Sequence, residues 1–165
     1  MTEHVTKQKP FPWRCPRCGL EEVRPSVTPY AAEVKHDGRV HEVAVDRLEI
    51  PTCQSCGARV FSKHVDDQIS QALRRQLRLL SPDEIRSSLR TLGMPQKQLA
   101  RRLGVAEATL SRWATGTVIQ SRAMDNLLRL YFALPEVRDA LGGEQQDPGL
   151  GLPAPSGEHS EADVP

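Results

Sequence analysis

The chain of 165 residues is almost neutral, with 22 Lys and Arg against 21 Asp and Glu and a formal net charge of +1. Its hydrophobic content of 38% and aromatic content of 4% permit small hydrophobic cores but exclude a large one. Because there is neither a signal-like start nor a stretch near the ~20 apolar residues of a membrane span, we expect a soluble protein of a reducing cytoplasm with no membrane partner.

Charge is distributed unevenly along the chain. The net charge is +1 over residues 1–60, +5 over residues 61–141 and −5 over residues 142–165. Neutralisation of phosphates dominates affinity for nucleic acids, so the basic middle region is suited to DNA. An ordinary solvated face is the commoner origin of such a surplus, and the charge alone therefore assigns no function.

Two short cysteine motifs dominate the N-terminal part. Cys15 and Cys18 stand in CPRCG, and after 34 intervening residues Cys53 and Cys56 stand in CQSCG. Two thiolates separated by two residues grip one metal ion, and the glycine that follows supplies a turn that directs backbone amides at sulfur. The four cysteines predict one closed, tetrahedral, structural Zn²⁺ site per chain.

Other uses of these cysteines are open at this point. Two disulfide bonds are disfavoured by the expected reducing compartment. A dithiol redox pair needs only one such motif on a thioredoxin-like pattern, which the sequence lacks. An iron–sulfur cluster uses the same ligand type and is a further alternative.

A β-hairpin is predicted between the two motifs. Residues 30–35 and 39–45 carry alternating apolar residues and flank an Asp-Gly pair, which is typical of a tight hairpin turn. His36 and His41 are two further potential ligands, but four cysteines already fill the site. We expect both histidines to be solvated residues of the strands.

Residues 65–80 carry apolar side chains at helical spacing and predict one amphipathic helix. Arg74, Arg75 and Arg78 cluster on this helix. We interpret the cluster as a solvated face in preference to a contact with the DNA backbone.

The next helix has a strong start signal. Ser81 is the predicted N-cap, Pro82 fits the first helical position, and Glu84 completes a capping box. Gly93 is expected to end this helix.

Residues 95–116, PQKQLARRLGVAEATLSRWATG, predict two short helices joined by a tight turn. This is the layout of a helix-turn-helix, which enters a DNA major groove. Ala100 allows the two helices to cross closely, and Gly104 can adopt the positive φ that ends the first of them.

Two further helices follow. Ser121 is the predicted N-cap of the first, and Pro135 begins the second, short one. The apolar stripe of the first is wider than one neighbour needs to cover, so core packing and a dimer interface both account for it. The stripe consists of Met124, Leu127, Leu128, Tyr131 and Leu134.

The second helix of the helix-turn-helix carries the predicted base reader, Arg112, whose guanidinium can pair with O6 and N7 of guanine. Gln96 begins the first helix, where its amide and the helix N-terminus can hold a phosphate. Ala108 offers at most a contact with a thymine methyl group. The predicted DNA-binding residues are Gln96, Lys97, Glu107, Ala108, Thr109, Ser111, Arg112 and Thr115.

The sequence therefore predicts an α+β protein with two domains, a small N-terminal zinc ribbon and an all-α, five-helix domain with a helix-turn-helix. The predicted segments are a flexible N-terminus (1–12), the zinc-ribbon domain (13–62), a linking helix (63–80), the helix-turn-helix domain (81–141) and a disordered acidic tail rich in Gly and Pro (142–165).

These motifs resemble those of known regulators. Gln96, Leu99 and Ala100, followed by GV and LSRW, resemble the Xre-type repressors related to the phage lambda repressors. Joined to CPRCG and CQSCG, the pattern over residues 13–141 is similar to the MqsA-type antitoxins with a YgiT-type zinc finger. The resemblance implies a structural zinc ribbon that contacts a ribonuclease toxin, and a C-terminal domain that dimerises and represses its own operon.

Individual residues carry over from the resemblance. It implies Cys15, Cys18, Cys53 and Cys56 as zinc ligands and Arg112 as base reader. Ala108 stands where the best-known members have asparagine, and Ala114 stands where an acidic residue commonly follows the aromatic.

We therefore expect a sequence-specific repressor that binds a palindromic operator in double-stranded DNA as a homodimer. As the antitoxin of a type II pair it would autoregulate its operon and neutralise a toxin, in the cytoplasm and on the nucleoid. A plain Xre-type regulator without a toxin and a zinc-ribbon interaction adaptor are the alternatives. An enzyme is not expected, because the metal site is closed and no nucleophile with a base is discernible.

Overall fold

The computed structural model describes residues 9–142, which form a β-rich N-terminal part followed by six α-helices. This two-part α+β architecture confirms the predicted fold class. Residues 1–8 of the predicted flexible start (1–12) and residues 143–165 of the predicted disordered acidic tail (142–165) lie outside the described residues. No helix within the described range is long and apolar enough to cross a membrane.

The N-terminal part contains two separate antiparallel sheets of two strands each. The small sheet pairs β1 (Val23–Arg24) with β4 (Thr52–Cys53), and the long hairpin pairs β2 (Val27–His36) with β3 (Arg39–Glu49). The cysteine motifs lie beside the small sheet. The hairpin is an insertion between its two strands.

The hairpin turn has the predicted tight conformation. Asp37 and Gly38 have φ values of 49° and 73°, and two consecutive left-handed residues give the turn that matches the twist of paired strands. Both strands are longer than predicted, because pairing continues past a register shift as far as Val27 and Glu49.

Helix α1 (Lys63–Gln76) lies against this hairpin. Leu73 packs with Val43 in one buried cluster, and Val65 packs with Leu48 in a second. Since neither the hairpin nor the helix has an apolar core of its own, each provides the surface that buries the other. The segment predicted as a linking helix is thus part of a packed unit.

The prediction that this helix extends over residues 63–80 is wrong at its C-terminal end, since α1 stops at Gln76. Arg78 has a φ of 50°, a left-handed conformation that cannot continue a helix. Leu79 and Leu80 follow in irregular chain and are buried. Because tertiary packing buries both leucines, they are apolar, and their positions happen to continue the helical spacing of the apolar residues before them.

Five helices form the helical half of the molecule and confirm the predicted five-helix domain. They are α2 (Pro82–Thr91), α3 (Gln96–Leu103), α4 (Glu107–Thr115), α5 (Arg122–Ala133) and α6 (Pro135–Ala140). The fully buried members of their common core are Ile85, Leu99, Leu110, Leu128 and Tyr131.

Local signals start and end these helices as predicted. Ser81 Oγ accepts from the backbone amide of Glu84, and the Glu84 carboxylate accepts from the amide of Ser81 at 2.7 Å, which completes the capping box. Ser121 caps α5 through the amide of Met124. Gly104, with a φ of 68°, ends α3.

The apolar stripe of α5 is largely covered by the core. Leu128 and Tyr131 are fully buried, and Met124 packs against the same cluster. Leu130 and Leu134 are 49% and 42% exposed. Core packing therefore accounts for most of the stripe and leaves Leu134, its last member, exposed. Leu130, which lies outside the stripe, forms an exposed apolar pair with it one turn apart.

Candidate metal centre and nucleic-acid interface

The two cysteine motifs fold as matching turns. The amides of Gly19 and Gly57 donate to the carbonyl oxygens of Cys15 and Cys53, each at 2.9 Å. Both glycines have a positive φ, 77° and 69°, which side chains with a Cβ rarely adopt. The β1–β4 pairing places Val23 opposite Cys53 and holds the two turns side by side.

The four sulfur atoms form a compact cluster. Cys15 Sγ lies 3.6 Å from Cys56 Sγ, Cys18 Sγ lies 3.7 Å from Cys53 Sγ, and all four lie within 4.8 Å of one another. A regular tetrahedron with Zn–S bonds of ~2.3 Å has edges of ~3.8 Å. The donor set and its spacing therefore fit a metal ion such as zinc.

Disulfide bonds do not fit this cluster. The S–S bond length is ~2.05 Å, far below the observed separations, and all four cysteines are free. A zinc ion held by four thiolates supplies a structural cross-link and has no open position for a substrate water.

The surroundings shift the pKa values of two of the four thiols in opposite directions. A hydrogen bond from the backbone amide of Cys18 lowers the pKa of Cys15 to about 6, although burial opposes the shift. The amide of Ala58 lowers the pKa of Cys56, but burial and hydrogen bonds with the other three sulfur atoms outweigh it and raise this pKa to about 11. Without a metal, Cys15 is thus the more acidic and Cys56 the less acidic of these two thiols.

The two hairpin histidines lie outside the metal centre, since the group of candidate ligands found among residues 9–142 consists of the four cysteines. The expectation that His36 is solvated is wrong. Its side chain is 11% exposed, and its Nε2 is buried at 3.6 Å from a carboxylate oxygen of Asp37. Leu77 and Arg122, which come much later in the sequence, line the cavity beside it. His41 is half-buried.

Helices α3 and α4 form the helix-turn-helix. Leu99 and Ala100 on α3 and Leu110 and Trp113 on α4 are buried against each other and the common core. Arg112 on α4 is exposed. The burial therefore divides α4 into the two faces that its sequence predicts.

The predicted DNA contacts lie at accessible positions of these two helices. Gln96 is the first residue of α3, as expected, and Thr115 donates from its hydroxyl to the carbonyl oxygen of Ser111 at 2.9 Å. The exposed members of the set are Lys97, Glu107, Ala108, Arg112 and Thr115. The half-buried members are Gln96, Thr109 and Ser111. Their contacts with DNA stay predictions.

Two arginines that sequence reasoning did not assign to this site hold the C-terminal end of α4. Arg74 is 4% exposed, and its Nη2 donates to the carbonyl oxygens of Gly116 at 3.1 Å and Val118 at 3.3 Å. Arg86 donates to the carbonyl oxygen of Ala114. The interpretation of Arg74 as part of a solvated face is wrong, because its partners lie 42 and 44 residues away and leave no periodic signal.

A family model described as helix-turn-helix matches residues 85–131, from within α2 to within α5. Together with the fold, this match supports a DNA-binding transcription regulator with an Xre-like helix-turn-helix domain. In this chain that domain is joined to a four-cysteine cluster able to hold a metal ion. No curated protein matches the chain.

Proposed function

We propose that the protein is a sequence-specific transcriptional repressor that binds a palindromic site in its own promoter as a homodimer. The observation that carries the proposal is α4, where Leu110 and Trp113 are buried while Arg112 is exposed. A helix anchored in this way can present an arginine to O6 and N7 of guanine in a major groove. Two helices in a symmetric dimer would read half-sites ~34 Å apart.

Direct base readout by this helix is sparse. Ala108, one turn before Arg112, offers only a methyl group, which suits contact with thymine. Gln96 and Lys97 at the start of α3 would hold phosphates. The other contacts proposed from α4 are Glu107, Thr109, Ser111 and Thr115. Groove shape would supply the rest of the specificity.

The homodimer has a candidate surface on α5. Leu130 and Leu134 are exposed, apolar and one turn apart. In a two-fold symmetric dimer the same patch of both copies meets itself, so a short apolar ridge is suited to such an interface.

We further propose that the protein is the antitoxin of a type II toxin–antitoxin pair. The support is the joining of a four-cysteine module to a helix-turn-helix in one chain, the combination on which the resemblance to MqsA-type antitoxins rests. In this role the module holds one structural Zn²⁺ and binds a ribonuclease toxin. The protein acts in the cytoplasm, on the nucleoid, and has no catalytic activity of its own.

The test is binding of the full chain to DNA from upstream of its own gene, compared with unrelated DNA of the same length in a gel shift. Specific retention and repression of a reporter are expected. Equal retention of both fragments contradicts sequence-specific repression.

Co-expression with the product of the adjacent gene tests the antitoxin role. DNA binding without a co-purified partner indicates a plain regulator, and a partner without DNA binding indicates an adaptor.

A further inference from the structure

The short segment between α4 and α5 has contacts with the N-terminal part of the protein at its start and at Ile119. Arg74 of α1 donates to the carbonyl oxygens of Gly116 and Val118 at its start. Ile119 packs against the cluster that contains Val43 of the hairpin. The end of the recognition helix is therefore supported by α1 and β3, which precede the helix-turn-helix in the sequence.

A chain of two hydrogen bonds connects Arg74 to the backbone of Arg112. The guanidinium of Arg74 donates to the carbonyl oxygen of Val118, and the amide of Val118 donates to the carbonyl oxygen of Arg112 at 3.3 Å. The segment thus folds back on the residue whose side chain is the proposed base reader. A displaced Val118 would remove a backbone constraint on Arg112.

The burial of Arg74 indicates a specific role for its guanidinium. The side chain lies almost wholly inside, and burial lowers its pKa, which the carboxylate of Asp67 opposes. A buried guanidinium is costly unless it is hydrogen-bonded. Both bonds come from one nitrogen, Nη2, which lies one bond farther from Cα than Nζ of a lysine, so lysine can reproduce them only in part.

We propose that Arg74 is a positioning residue for DNA recognition, which fixes the C-terminal end of α4 and thereby the direction of Arg112. This proposal rests on the proposed DNA-binding function. It makes α1 and the hairpin necessary for base readout, even where they make no contact with DNA. The underlying reason is that a reading side chain must be held within about 0.5 Å of its productive position.

Arg74→Met tests this role in the full-length protein. Methionine has a similar length and brings no buried charge, so the helix can keep its packing. We expect amide hydrogen exchange at Gly116 and Val118 to become about tenfold faster and affinity for the promoter fragment to fall about tenfold. Arg74→Lys, which keeps the charge, should restore part of both. NMR exchange rates and gel shifts at fixed salt provide the two measurements.

Arg75→Met is the matched control, because Arg75 is the next residue of α1, is exposed and loses the same charge. It should leave the exchange rates unchanged and alter DNA affinity by less than about fivefold. Equal loss of affinity in both variants, or unchanged exchange in Arg74→Met, overturns the positioning role. If the wild-type chain itself does not select promoter DNA, the proposed function fails, while the exchange rates still decide whether Arg74 holds the segment.

Discussion

The carboxylate of Asp37 at the tip of the hairpin accepts a hydrogen bond of 2.6 Å from the backbone amide of Arg122, the first residue of α5. The first amides of a helix have no partner inside the helix. Ser121 satisfies one of them from the adjacent position, and Asp37 satisfies another from a distant part of the chain. The hairpin tip therefore serves as a second cap of α5 and fastens the N-terminal part to the helical half.

Replacement of Asp37 by glycine should destabilise the protein by about 1 kcal/mol, the usual cost of a lost helix cap. Glycine suits the left-handed φ of this position, so the turn itself is preserved. Asp37→Asn keeps an acceptor oxygen and tolerates the same φ, and it should stay close to wild type. Thermal unfolding of the three proteins measures the difference. Equal midpoints for all three would show that the hairpin tip does not hold α5.

Asp125 is a buried charged group in the helical half. It is fully buried and accepts from the amide of Leu80 at 2.7 Å, from Gln120 Nε2 at 3.0 Å and from Arg129 Nε at 2.8 Å. Asp125→Ala leaves the Leu80 amide and Arg129 Nε without this acceptor, while Gln120 Nε2 keeps its bond to the carbonyl oxygen of Leu80, and it should cost about 3–5 kcal/mol. Chemical denaturation measures this loss.

Two further variants define the origin of that loss. Asp125→Asn keeps the shape and one acceptor oxygen and should lose less stability than the alanine variant. Asp139→Ala removes an exposed carboxylate from α6 and should change stability by no more than about 0.5 kcal/mol. A similar effect of Asp125→Ala and Asp139→Ala contradicts a structural role for the buried carboxylate.

Structural features that depend on residues close together in the chain could be predicted from the sequence. The capping box of Ser81 and Glu84, the left-handed Gly104 and the grouping of the cysteines follow from local spacing, and each is observed. The exposed position of Arg112 follows in the same way from the helical period.

Structural features that depend on partners far away in the sequence could not be predicted. Arg74 lies in a cluster of charges that looks solvated in the sequence, but it is buried by a segment that comes much later. His36 lies at the hairpin tip, which also looks solvated, but its side chain is only 11% exposed beside later residues. Helical and strand periodicity specify which face of an element is apolar, but not what covers its polar residues. The contact between the hairpin and α1 could not be predicted for the same reason.

Removal of the metal should unfold a smaller region than the sequence alone predicts. From the sequence, residues 13–62 form one zinc-ribbon domain, which would depend on the metal as a unit. In the structure, however, the hairpin packs on α1 through Val43 and Leu73. We therefore expect Cys53→Ser to release the β1–β4 sheet and the cysteine turns, while the hairpin and all helices remain folded.

Hydrogen exchange along the chain distinguishes these regions, and metal analysis should find one zinc ion per wild-type chain and none in Cys53→Ser. Ser55→Ala, between the two cysteines of the second motif, is the matched control and should keep its metal, because Ser55 is exposed and offers no sulfur. Loss of protection throughout the hairpin would show that the metal, and not α1, holds it.

Metal affinity should fall on acidification. Zinc binds thiolates, so protons compete with it for each sulfur. At neutral pH Cys56, with its pKa raised to about 11, must lose a proton on binding, whereas Cys15 becomes protonated only near its lowered pKa of about 6. Apparent affinity should therefore rise with pH through the neutral range and collapse below about pH 6. Competition with a chromophoric chelator at several pH values measures this. A pH-independent affinity excludes thiolate ligation at this cluster.

Arg112→Ala should weaken binding to the promoter site by about 1–3 kcal/mol per half-site, the usual value of a bidentate contact with guanine. Because the Arg112 side chain is exposed and its guanidinium donates no hydrogen bond among the described residues, its loss should leave thermal stability unchanged. Arg47→Ala, which removes an exposed arginine from β3, is the charge-matched control.

The two variants separate base readout from general electrostatics. A lost phosphate contact weakens binding to all sequences alike and lowers the salt dependence, whereas a lost base contact weakens only the cognate site. Arg112→Ala should therefore bring cognate affinity towards that for unrelated DNA, while Arg47→Ala preserves the ratio of the two affinities. If Arg112→Ala lowers both affinities equally, Arg112 holds a phosphate, and specificity must come from the other α4 residues and from groove shape.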